Sequence, residues 1–125
     1  MLGYVTVGTN DLEKAAKYYD ELLAGIGAKR FMEMETFIAW SNDPTACGFS
    51  ITKPFDGNAA SVGHGVMTAF MVDSPAKVDE MHAKAIELGG TDEGAPGARS
   101  DSFYGGYFRD LDGNKLNAFC MTAAG

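Results

Sequence analysis

Cysteine, histidine and basic side chains are all scarce. The two cysteines, Cys47 and Cys120, form no Cys-x-x-Cys spacing, which leaves neither a disulfide framework nor a structural zinc cluster. Ten Lys and Arg stand against seventeen Asp and Glu, giving a formal charge of -7 spread along the chain. Such a surface repels phosphate backbones and no basic run offsets the repulsion, so no nucleic acid partner is expected. No apolar run reaches membrane-spanning length, and Met1-Leu2-Gly3-Tyr4 has no basic segment leading into an apolar signal region. The expectation is a cytoplasmic protein with free thiols and no membrane partner.

What is present suits one ordinary α/β domain of 125 residues with 46% apolar content. Leu2 to Gly8 is rich in β-branched residues and reads as a strand. Asn10, three residues before Glu13, resembles a capping box. Leu12, Ala15, Ala16, Tyr19, Leu22, Leu23 and Ile26 then recur at helical spacing until Gly25 and Gly27 stop the run. Ala28 to Glu33, Thr36 to Ser41 and Cys47 to Lys53 read as three short strands. Pro54 to Gly63 is a polar, glycine-containing link.

The pattern then starts again. Gly65 to Val72 reads as a strand, Ser74 and Pro75 as a helix start, and Val78, Met81, Ala85 and Leu88 as an apolar stripe ended by Gly89-Gly90. Thr91 to Glu93 reads as a short strand, and Gly94-Ala95-Pro96-Gly97 as a bend. Phe103 to Arg109 and Lys115 to Met121 form a hairpin around Asp112-Gly113. An offset of about 63 residues places Tyr4 on Met67, Ala15 on Val78 and Gly27 on Gly90, a structural repeat.

Those residues carry a family resemblance. Tyr4-Val5-Thr6-Val7 with Asn10-Asp11-Leu12-Glu13-Lys14-Ala15 and Tyr18-Tyr19, and the closing Phe108-Arg109-Asp110-Leu111-Asp112-Gly113-Asn114-Lys115-Leu116-Asn117, resemble the vicinal oxygen chelate superfamily of glyoxalases, bleomycin-resistance proteins and extradiol dioxygenases. The resemblance implies an α+β fold: two tandem βαβββ modules forming a curved eight-stranded mixed sheet around a cup, helices outside. It divides a single domain, 1–125, into half-modules 1–55 and 64–125 joined by a linker at 56–63, and it implies a homodimer.

In metal-dependent members, the resemblance places ligands at Tyr4, near Phe49, at Met67 and at Asn117. A phenol, a phenyl ring, a thioether and a neutral amide suit a divalent ion poorly. No metal and no cofactor are therefore expected, and an amide at 117 cannot serve as a general base near neutral pH. Strand alternation puts Leu2, Thr6, Ala69, Met71, Lys115 and Phe119 on the cup side with Tyr4, Met67 and Asn117. Arg99 is a candidate for an anionic group and Tyr104 for ring stacking. Tyr4, Phe49, Met67, Arg99, Tyr104, Asn117 and Phe119 are thus the expected ligand-binding residues, with side chains filling the cup as the competing reading. His64, at the strand edge or in the linker, and His82, beside the second helical stripe, read as structural, and the favoured reading of Arg99, Asp101, Ser102 and Tyr104 is an exposed polar loop.

Three functions remain open. The first is a metal-free cup for a small amphipathic or aromatic molecule. The second is a lyase or dioxygenase using a displaced site. The third is a structural or protein-interaction domain with a filled cup.

Overall fold

A computed structural model describes residues 1–122. The chain divides into two compact units, Met1–Gly63 and His64–Gly125. Each has the order strand, helix, three strands. The first contains β1 (Tyr4–Gly8), α1 (Leu12–Ala24), β2 (Lys29–Glu33), β3 (Phe37–Ser41) and β4 (Gly48–Thr52). The second contains β5 (Thr68–Met71), α2 (Pro75–Glu87), β6 (Thr91–Ser100), β7 (Phe103–Arg109) and β8 (Lys115–Met121).

The repeat is visible in topology as well as order. Each unit holds one four-stranded mixed sheet, β1-β4-β3-β2 in the first and β5-β8-β7-β6 in the second. The first strand of each module runs parallel to its last, and the remaining pairs are antiparallel. The eight strands of the expected fold are therefore two sheets of four, each with a helix on one face.

Alternation along the strands sends apolar residues to that helix. In the first unit Tyr19 of α1 is fully buried and meets the rings of Phe49 at 4.8 Å, Tyr18 at 5.2 Å and Trp40 at 5.8 Å. In the second, Val78, Met81 and Ala85 of α2 are buried, as are Phe108, Leu116, Ala118 and Cys120.

Local chemistry sets the helix ends. Ser74 caps α2 by accepting from the backbone N–H of Lys77, with Pro75 in the first turn. The α1 cap is Asp11, whose carboxylate accepts from Lys14 N–H at 3.1 Å. Asn10, the expected cap, instead accepts from Ala60 N–H and donates to Ala60 O, tying the linker to the helix start.

The sixth strand departs furthest from expectation. It runs from Thr91 to Ser100 and includes the stretch read as a bend. Three register shifts interrupt its pairing with β7. Bulges accommodate Pro96 and two glycines that would otherwise weaken a strand.

Candidate functional site

The face of the first sheet turned away from α1 is built from alternate residues. Tyr4 pairs with Gly48, Thr6 with Ser50, and Ser50 with Ala39. Tyr4 also packs edge-on against Phe37 at 6.2 Å. The register of β2 slips between Arg30 and Met32, so the consecutive residues Phe31 and Met32 both reach this face, as a bulge allows. The Phe31 ring lies over Gly48, where an added Cβ would sit 3.3 Å from it.

The result is a depression of about 400 Å³ lined by Tyr4, Phe31, Met32, Met34, Phe37 and Ala39. A second depression, of about 670 Å³, shares Tyr4 and Phe31 and extends to Lys29, Ser41, Asn42 and Asp43. Tyr4, Phe31 and Met34 are 61%, 57% and 58% exposed, which is unusual for clustered rings and thioethers.

Phe49 does not belong to this face. It is buried against Tyr19 on the helix side. A shift of one residue moves a strand side chain to the other face, and here Ser50 takes the outer position. Ser50 is fully buried, donates to Val5 O, and its hydroxyl lies 2.7 Å from that of Thr6.

In the second unit, Asn117 pairs with Ala69 on one side and Tyr107 on the other. This is the same place in the sheet that Ser50 holds in the first. Asn117 is 1% exposed, and its Oδ1 is a buried acceptor without a hydrogen-bond partner. Phe119, two residues on, stacks on Phe103 at 5.2 Å. Met67 stands one residue before β5, exposed and outside the strand in which it was expected.

Arg99 lies within β6, not in a loop, and its guanidinium stands 5.4 Å from the centre of the Tyr107 ring. Tyr104 turns the other way. Its hydroxyl donates to Asp79 of α2 at 2.7 Å, and that bond holds the phenol above its ordinary pKa. Tyr104 therefore fastens a helix to the sheet instead of stacking on a ligand. Tyr107, which sequence reading passed over, occupies the outer face.

The chain matches the family model described as the Glyoxalase/Bleomycin resistance protein/Dioxygenase superfamily over residues 1–118. It belongs to that superfamily. A crystal structure of a glyoxalase/bleomycin resistance protein from Albidiferax ferrireducens is 39% identical, covers 96% of this chain and 98% of its own, and superimposes with a TM-score of 0.89. A glyoxalase-related enzyme from Fulvimarina pelagi (20% identity, 96% and 87% covered, TM-score 0.75) and a lactoylglutathione lyase from Agrobacterium tumefaciens (17%, 96% and 92%, 0.73) share the fold. No curated protein matches the chain.

Membership of the glyoxalase superfamily raises the question of a metal. Among the described residues, no group of three or more His, Cys, Asp or Glu is placed to hold one. The positions that the resemblance assigns to metal ligands are Tyr4, near Phe49, Met67 and Asn117, and none of these side chains is an imidazole or a carboxylate. This donor set does not fit a borderline or hard divalent ion.

Neither histidine compensates. His64 is exposed in a turn before β5. His82 is buried on α2, its Nε2 3.0 Å from Asp92 Oδ1 and 3.2 Å from Tyr107 O. It joins helix to sheet.

Asp20, also missed by sequence reading, organises the edge of the first sheet. It accepts two bonds from Arg30, at 2.8 and 2.6 Å, and one from Trp40 Nε1 at 2.9 Å. The Arg30 bond chiefly holds its pKa below the usual carboxylate value, Trp40 adds to this, and burial opposes it. A depressed pKa in the folded state adds stability that is present above the unfolded value of about 3.9 and is lost as pH falls through the folded one. In urea melts, Asp20→Asn is expected to be less stable than wild type near neutrality, with the gap closing below about pH 4.

Asn117 gives the opposite expectation. An orphaned buried acceptor costs about 1–3 kcal/mol, so Asn117→Leu is expected to match wild-type stability or exceed it by about 1 kcal/mol in the same melts.

Among the described residues, no helix is long and apolar enough to cross a membrane.

Proposed function

We propose that this glyoxalase-superfamily chain binds a small aromatic or amphipathic molecule, without a metal, in the depression bordered by Tyr4, Phe31 and Phe37. The observation that carries the reading is the depression itself: rings and thioethers converge there while remaining exposed. Apolar surface left open to water is a standing cost that a bound apolar molecule removes, at about 25 cal/mol per Å² covered. Ser41, Asn42 and Asp43 on the adjoining rim supply polar groups that would orient an amphipathic ligand.

The chemistry follows from the lining. Tyr4, Phe31, Met32, Met34, Phe37 and Ala39 include no imidazole or carboxylate, and the one carboxylate on the rim, Asp43, accepts from Thr45. Such a donor set does not assemble a metal centre for proton transfer or oxygen activation. Sequestration of the ligand is the activity such a surface supports. In this reading the protein is a homodimer, as the superfamily resemblance implies, and its charge of -7 disfavours a nucleic-acid partner.

Titrating an aromatic fragment panel into isotopically labelled protein tests the reading. Saturable shifts at Tyr4, Phe31, Met32 and Phe37 are expected. Phe31→Ala is expected to weaken binding about tenfold while changing stability by less than about 1 kcal/mol, because Phe31 is 57% exposed.

The same exposure favours a second reading, in which the face is covered by protein. Mass in solution separates the two: a ligand site leaves the mass of Phe31→Ala unchanged, whereas a protein interface shifts it toward monomer.

A further inference from the structure

The outer face of the second sheet gathers cations on an aromatic ring. Arg99 of β6 and Lys115 of β8 stand 5.4 and 5.6 Å from the centre of Tyr107, on the strand between them. Cation–π attraction offsets part of their mutual repulsion. Among the described residues neither has a carboxylate within ion-pair distance: Glu93 is taken by Arg109, and Asp92 by His82 and Gly94 N–H. In a chain of net charge -7, two cations converging without an acid are an unbalanced arrangement.

The arrangement is also built. Arg99 folds back along its own strand and donates to Ala95 O at 2.7 Å. Glycines make the space for it. A Cβ at Gly97 would lie 3.0 Å from the Arg99 Nη1, and one at Gly94 3.4 Å from Nη2 and 3.3 Å from the Tyr107 ring. An arginine left to solvent would need no such clearance.

Next to the charges lies an apolar platform. Along β8, Lys115, Asn117 and Phe119 share the outer face, and Phe119 stacks on Phe103. At about 3.3 Å per residue, the ammonium-bearing position and the aromatic pair are about 13 Å apart along the strand. Between them sits Asn117 with its unpartnered Oδ1.

We infer that Arg99 and Lys115 form an anion site that takes the carboxylate of an amphipathic molecule whose apolar body extends toward Phe119 and Phe103. Arg99 presents its remaining guanidinium donors to the carboxylate oxygens, and Lys115 adds a point charge. This site does not depend on the Tyr4 and Phe31 depression, so either can fail without the other.

The test uses 6-phenylhexanoate, long enough to reach from the cations to the aromatic pair, with its neutral amide and inorganic phosphate, each titrated into labelled full-length protein by NMR, with affinities from calorimetry. The acid is expected to bind at least about tenfold more tightly than the amide, with shifts at Tyr107, Asn117 and Phe119. Arg99→Gln and Lys115→Gln are each expected to weaken the acid about tenfold, while Lys84→Gln, which removes equal charge from α2, leaves it unchanged. Gly97→Ala keeps every charge but displaces the guanidinium, and is expected to weaken the acid with an unaltered melting temperature. No binding of the acid at millimolar concentration, equal binding of acid and amide, or wild-type affinity in both glutamine variants would overturn the site. Phosphate binding as tightly as the acid would overturn the apolar part of the recognition. Shifts confined to Tyr4 and Phe31 would support the first depression and reject this one.

Discussion

Replacing Tyr19 with alanine is expected to cost about 3–5 kcal/mol, a large share of the roughly 5–15 kcal/mol that holds a domain folded. The side chain is fully buried and touches three other rings, Tyr18, Trp40 and Phe49, at 4.8 to 5.8 Å. Removing it opens a cavity between helix and sheet that these rings cannot fill without leaving their rotamers. Tyr19→Phe keeps the ring packing and is expected to retain most of the stability. Urea denaturation of both variants checks the prediction, and a Tyr19→Ala cost below about 1 kcal/mol would contradict the assigned core.

The second large effect is expected at Asp110. This residue is 5% exposed, and one carboxylate oxygen accepts from the backbone N–H groups of Asp112 and Asn114, both at 2.9 Å. The other accepts from the Asn114 side chain at 3.0 Å. Together these close the turn between β7 and β8, where Gly113 adopts a φ of 87 that favours glycine. Asp110→Ala leaves two backbone donors without their charged acceptor, for an expected loss of about 3 kcal/mol. Asp110→Asn retains an acceptor and is expected to lose about half as much. Thermal melts of the two variants check this.

Much of the fold was legible because it rests on local chemistry. The hairpin strands Phe103–Arg109 and Lys115–Met121 have the bounds read from the sequence, since Asp112-Gly113 marks the turn between two apolar runs. The cap at Ser74 and the stop at Gly89, whose φ is 107, were equally local. The short strand read at Thr91 to Glu93 became a ten-residue strand because bulges admit Gly and Pro that sequence patterning counts against it.

The candidate sites were less legible, because which face a side chain takes depends on register. Phe49 and Tyr104 were expected at a ligand and are turned to the helices, Phe49 onto Tyr19 and Tyr104 onto Asp79. Strand alternation alone could have found Ser50, since Thr6 and Ser50 are partners once β1 and β4 run parallel. Nothing in the sequence announces the bulge that brings Phe31 beside Met32 onto one face. Tyr107 becomes notable only when β6 and β8 bring Arg99 and Lys115 to it.

The most direct test of metal-free binding at the first depression is one NMR titration of an aromatic fragment panel into protein stripped of metal by a chelator. The predicted result is saturable shifts at Tyr4, Phe31, Met32 and Phe37 that do not change when zinc, nickel, manganese or iron(II) is added back. Saturation that appears only after a metal is restored, or a panel that never moves those residues, would contradict it.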